Sequence, residues 1–133
     1  MSRVRDAMVS DPLALDASAS AQEAGTRLSD PGVRAVLVCN DGELVGVVTR
    51  KTLVREVVAA GRDPGRTRLG DLAEPPIFTL DADQDLEAAF RELEDRDLER
   101  VPVIENGRLV GILSRAVVQR RLAEDEPPVE EAV

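Results

Sequence analysis

Apolar and polar residues follow two rhythms along this chain, and both rhythms come round twice. From Val36 to Val48, and again from Val101 to Leu113, short apolar runs flank a tight turn, Asp41-Gly42 in the first case and Asn106-Gly107 in the second. Such dipeptides supply the positive φ angles that a two-residue hairpin turn needs, so each run predicts two antiparallel strands, the first pair over about Ala35 to Thr49. Between the strands the spacing turns helical. Ala21, Ala24 and Leu28 share one helical face, and Leu86, Ala89, Phe90 and Leu93 recur at i, i+3, i+4 and i+7. Asp16, Ser18 and Ser20 offer caps before the first of these helices, and Asp83, Asp85 and Glu87 favour the positive end of the second. Asp30-Pro31-Gly32 stops the first helix. Leu13 to Leu15 and Ile77 to Leu80 read as short strands, and Val4 to Met8 and Leu69 to Leu72 as short lead-in segments. Leu53, Val54, Val57 and Val58, and later Val117, Val118 and Leu122, predict closing helices whose outer apolar edges suit dimer packing.

The plan is one unit written twice at a constant offset of 65 residues. Identical pairs include Asp16/Asp81, Ala24/Ala89, Leu28/Leu93, Gly42/Gly107, Leu44/Leu109, Gly46/Gly111 and Arg50/Arg115. The turn-rich stretch Gly61-Arg62-Asp63-Pro64-Gly65 separates the copies. Residues 1–62 form the first repeat with its lead-in, 63–68 the linker, 69–123 the second repeat, and 124–133 an acidic tail expected to be disordered. Positions apolar in both copies are candidate core. Cys39 aligns with Ile104 and reads as a small buried hydrophobe.

Composition narrows the chemistry. No apolar run approaches the roughly 18 residues of a membrane span, and the first residues lack the apolar centre of a signal peptide, so a soluble cytoplasmic protein is expected. A net charge of −9 argues against nucleic acid as a partner. The chain has one cysteine and no histidine. An internal disulfide, a histidine-assisted nucleophile and a histidine-ligated zinc site are therefore all excluded. Asp81, Asp83, Asp85 and Glu92 are spaced somewhat like a calcium loop, but Leu86 stands where that loop needs glycine, and helix capping is the better account. Gly46 and Gly111 belong to no phosphate-loop motif and point instead to a bulge or a close backbone approach.

The doubled pattern, ending each time in Gly-apolar-apolar-Thr/Ser, resembles the CBS domain, here as a tandem pair over about Val4 to Ala123. Arg100-Val101-Pro102-Val103 and Gly107 to Ser114 look very like the family's signature. The resemblance implies an α+β fold of two pseudo-symmetric β-α-β-β-α units packed through their sheets. It also implies a regulatory, non-catalytic role, homodimer assembly, an unknown protein partner and two related clefts. The ligands implied are adenosine compounds such as AMP, ADP, ATP or S-adenosylmethionine, with no required cofactor and no metal. Carried over residue by residue, the second-repeat pocket would be lined by Ile77, Phe78 and Thr79 with Arg100 and Pro102, and the first by Pro12 and Leu13 with Arg34 and Val36. Thr49 and Ser114 would meet phosphate or ribose near a helix start, with Arg50 and Arg115 adding charge. The family pattern then places an Asp on the ribose diol. Here that position holds Thr52 and Val117, and Leu37 stands where the second copy has Pro102. Thr accepts two hydroxyl hydrogens poorly and Val not at all. The alternative is thus an oligomerising scaffold with degenerate clefts.

Overall fold

A computed structural model describes residues 2–10 and 12–125. The expected disordered tail falls, from residue 126 on, outside the described residues; the last helix runs through Asp125. In chain order the elements are α1 (Val4–Ala7), β1 (Val9–Ser10), β2 (Ala14–Asp16), α2 (Ala21–Leu28), β3 (Ala35–Asn40), β4 (Glu43–Thr49) and α3 (Arg50–Leu53). Then α3 widens into a π turn, Val54–Val58, and a 3-10 turn follows at Leu69–Asp71. The second half brings β5 (Leu80–Asp81), α4 (Leu86–Asp95), β6 (Arg100–Glu105), β7 (Arg108–Ser114) and α5 (Arg115–Asp125).

Both hairpin turns form where expected. Asp41 and Gly42 take φ of 52° and 81°, Asn106 and Gly107 take 52° and 79°. Ser20 caps α2 by accepting from Glu23 N, and Asp85 caps α4 by accepting from Ala88 N. The stretch expected as a strand from Ile77 is shorter, because only Leu80–Asp81 pairs with β6. Pro75 and Pro76 have no N–H to give a ladder, and Ile77 stands 88% exposed. The π turn was not expected either, since periodicity does not separate it from an ordinary helix.

The described chain forms two compact units. One holds β2, α2, β3, β4, α3 and the 3-10 turn, with the hairpin tip 106–109. Its parallel pair sets Ala14 beside Leu37, and its antiparallel pair runs from Ala35↔Thr49 to Asn40↔Glu43 with an irregularity at Val38/Cys39. Its core is Ala21, Ala24, Leu28, Val36, Val38, Val48, Val57, Leu69 and Leu72. The other unit holds α1, β1, β5, α4, β6 and most of β7 and α5. Its core includes Val4, Leu80, Leu86, Leu93, Val101, Val103, Leu113 and Val118. Val118 is therefore a core residue and not an outward edge. In the first repeat the outward residues are Val54 and Val58, 56% and 74% exposed.

Repeats and units do not coincide. Each repeat's lead-in is built into the unit formed by the other repeat. Val4 N and Arg5 N donate to Gln84 O and Ala82 O, both at 2.9 Å. At positions 65 later, Leu69 N and Gly70 N donate to Ala19 O and Ala17 O, again at 2.9 Å. The strand contacts match as well: Val9 pairs with Ile112, and Val47 bridges Glu74. Arg5 also pairs with Asp83 and Glu105, but Arg5 and Asp83 are exposed and water screens such pairs, so they add little. Backbone bonds and the burial of Val4 and Leu69, both at 0% exposure, contribute more. Among the described residues no helix is long and apolar enough to cross a membrane.

Strand glycines make room for the passing lead-ins. A Cβ on Gly46 would lie 2.5 Å from Glu74 O and 2.9 Å from the Ala73 Cβ; one on Gly111 would lie 2.5 Å from Met8 Sδ and 2.9 Å from Val9 O. Gly46→Ala and Gly111→Ala are each expected to destabilise by about 1–3 kcal/mol through forced displacement of the lead-in. Chemical denaturation of the two variants checks this, and an unchanged midpoint for Gly46→Ala would refute the close approach.

Candidate functional site

Topology brings most of the sequence-nominated residues to corresponding ends of the two half-sheets. In the first unit β2 and β3 run parallel and start at the same end, where antiparallel β4 finishes. Pro12 and Leu13 precede β2, Arg34 precedes β3, Thr49 ends β4 and Arg50 opens α3. In the second unit Phe78 and Thr79 precede β5, Arg100 opens β6, Ser114 ends β7 and Arg115 opens α5. Leu13 is 59% exposed, Arg34 and Arg100 are exposed, and Pro12, Phe78, Thr79 and Ser114 are half-buried. Ile77, exposed in the stretch before β5, belongs to the first unit's span.

Three nominated residues have other work. Val36 is 3% exposed and packs in the first unit's core, and Pro102 is buried. Thr52 is 1% exposed and its hydroxyl is consumed by a reciprocal cap: Thr52 Oγ1 accepts from Thr49 N at 3.2 Å, and Thr49 Oγ1 accepts from Thr52 N at 3.3 Å. The two hydroxyl oxygens lie 3.1 Å apart. In the second repeat Val117 replaces Thr52, and Ser114 Oγ makes no hydrogen bond among the described residues. Its hydroxyl is the freer of the pair.

The arginines differ in the same way. Arg50 donates to the carbonyl of Asp30 at 2.8 Å, and no carboxylate pairs with it among the described residues. Arg115 sits between two carboxylates, Asp97 at 3.4 Å and Glu99 more closely, while its own N–H donates to Glu99 O at 2.8 Å. Both side chains tie the helix that follows the hairpin to the loop that precedes it. The first sheet end therefore carries Arg34 and Arg50 without carboxylate ion pairs among the described residues but has spent its hydroxyls. The second has a free hydroxyl and the ring of Phe78, over which Arg96 stacks at 4.3 Å. Sequence reasoning missed Arg96, Asp97 and Glu99, because no local pattern says which loop charge folds back on a hairpin exit.

Cys39 is half-buried, less enclosed than expected. Desolvation, and then the charge of Asp16 beside it in the β2–β3 register, push its thiol pKa up, so it stays protonated at neutral pH. Asp16 itself is held below the ordinary carboxylate range by the hydroxyl and then the amide of Ser18. Among the described residues no group of three or more His, Cys, Asp or Glu is placed to hold a metal ion.

The CBS domain matches this sequence twice, at residues 4–59 and 69–124. The chain belongs to the CBS-domain family. It is 30% identical over 125 residues to Hypoxic response protein 1 of Mycobacterium tuberculosis, covering 93% of this chain and 87% of that protein. A crystal structure of that protein with two coordinated zinc ions superposes with a TM-score of 0.75, covering 91% of this chain and 99% of that one. A structure of CBSX2 in complex with AMP gives 0.73 at 25% identity, covering 96% of this chain and all of that one. YhcV of Bacillus subtilis, a CBS domain-containing protein, is 26% identical over 114 residues, covering 86% of this chain and 81% of that protein. The tandem CBS repeat and the α+β class read from the sequence are thus established.

Thr52→Val keeps the shape and removes the buried acceptor for Thr49 N; about 1 kcal/mol of stability should be lost, read from the denaturation midpoint. Asp16→Asn probes a depressed carboxyl. The wild-type advantage is expected in full above the unfolded pKa of about 3.9 and should vanish as pH falls through the lower folded value. An advantage that does not shrink as the pH is lowered below the unfolded value would contradict the assignment.

Proposed function

We propose that this CBS-domain pair is a regulatory ligand-binding module that senses an adenine nucleotide or related adenosyl compound and signals to a protein partner. It works as a homodimer in the cytoplasm and does no chemistry of its own. The observation that carries the reading is the repeated sheet-end arrangement: an apolar or aromatic side chain (Leu13, Phe78), an exposed arginine (Arg34, Arg100) and a hydroxyl beside a helix start (Thr49, Ser114). The resemblance to CBSX2, whose structure holds AMP, supports an adenosine ligand. In this reading the second-repeat end takes the ligand, with Phe78 beside the base and Ser114 toward ribose or phosphate. Bound ligand would bias the packing of its unit and so the surface shown to a partner.

One observation favours a second reading, a scaffold with degenerate clefts. The ribose-binding carboxylate of the family is replaced by a buried, self-satisfied Thr52 and by Val117, which has no polar atom to give.

A thermal-shift panel with AMP, ADP, ATP, NAD and S-adenosylmethionine separates the two. Ligand at 100 times its dissociation constant adds about 2.7 kcal/mol, a shift of several degrees for a chain of this size. Ser114→Ala should weaken the effective ligand, and Val117→Asp, which restores the family's carboxylate in the first turn of α5, should strengthen it roughly tenfold. A flat panel for wild type and Val117→Asp alike sinks the sensor reading in favour of the scaffold.

A further inference from the structure

The first unit carries a surface groove of about 720 Å³ between α2 and the π turn, with Ala21, Gly25, Leu53 and Val57 among its walls and Val58 and Arg62 at its rim. The second repeat serves as an internal control on it. Where α2 has Gly25, α4 has Phe90, which packs against the core of its unit. Gly25 is not required by the backbone: an added Cβ would meet only Leu53 Cδ1 at 3.8 Å, ordinary contact. A glycine inside a helix costs about 1 kcal/mol relative to alanine, so the first repeat sacrifices stability and keeps this space open. The exposed Val54 and Val58 likewise have Gln119 and Ala123 as counterparts, so the fold does not need valine there.

Charge selects the occupant. Residues 50–68 hold six bases and two acids in a chain whose net charge is −9. Arg55 is paired with Glu74 and Arg66 with Asp63, but Lys51 and Arg62 form no ion pair among the described residues. Lys51, Val54 and Val58 follow at i, i+3 and i+7, and all are exposed, giving cations at either side of an apolar stripe. Residues 124–133 supply the complement: five acids, no base, and Val129 set among Glu126, Glu130 and Glu131.

We propose that the groove beside Gly25 receives the acidic segment 124–133 of a second copy. Val129 takes the space that Phe90 fills in the other repeat, and the flanking glutamates meet Lys51 and Arg62. The inference deepens the dimer reading and does not depend on any nucleotide.

Lys51 is the only lysine in the chain, which makes the test direct. A zero-length carbodiimide applied to the full chain should join Lys51 to Glu126, Glu130 or Glu131 in a product of twice the 14.4 kDa chain mass. The product should fall severalfold in about 0.5 M salt, where charges are screened beyond roughly 4 Å. Gly25→Phe should raise the melting temperature and abolish the cross-link, and Val58→Ala should reduce it. Light scattering on the untreated protein keeps the outcomes apart. A dimer whose Lys51 is unlinked, linked within one chain, or linked to a carboxylate before residue 124 overturns the proposal and leaves the dimer standing. A monomer overturns both. Sedimentation with phosphatidylserine vesicles in place of any two-chain product would assign the stripe to an anionic membrane and reject the segment.

Discussion

Two backbones must pass within van der Waals reach at Gly46 and at Gly111, and the architecture follows from meeting that demand twice. The strands β4 and β7 can accept a lead-in only where no side chain intervenes, and the lead-ins deliver Leu69 and Val4 to cores that their own repeats do not form. The backbone hydrogen bonds that fix them are donated from equivalent positions, Val4 and Leu69, Arg5 and Gly70. Burial of two aliphatic side chains, at about 1.5–3 kcal/mol each, outweighs the exposed ion pairs that decorate the same contact.

Much of this was legible in the sequence, and for identifiable reasons. Asn-Gly and Asp-Gly demand positive φ, so the hairpins could be placed to the residue. Ser20 stood among three candidate caps before the first amphipathic helix and Asp85 among three acids at the start of the second, so the helix starts could be read but not which residue caps them. The glycines inside the strands pointed to a close approach, although not to which segment approaches. That is the part a linear pattern cannot carry: the exchange of lead-ins depends on contacts between residues some 80 positions apart, such as Val4 with Gln84. The π turn and the burial of Val118 were hidden for a related reason, since apolar spacing fixes a face and not its surroundings. At the candidate site the sequence gathered residues that the fold brings to the sheet ends. It also included Val36, Pro102 and Thr52, whose side chains turn inward or are already satisfied.

The two copies have kept a common geometry and parted in chemistry. Among the described residues, the first sheet end has two arginines without carboxylate partners and a pair of threonines bonded to each other; the second has one such arginine, Arg100, a neutralised Arg115, a free serine and an aromatic ring. A ligand meeting both would find more unpaired cationic charge at one and a stacking, hydrogen-bonding surface at the other. Pseudo-symmetry of the backbone thus does not imply two equal binding events.

The reciprocal lead-ins also bear on how such a chain could arise. A protein with one repeat would own a hairpin with an empty seat and a lead-in with nowhere to go, and two molecules would have to trade segments, as in a domain-swapped dimer. Joining the copies through a short linker turns that bimolecular exchange into an intramolecular one, so assembly no longer depends on concentration. Duplication here is less an addition of a second module than the closing of an obligate pair.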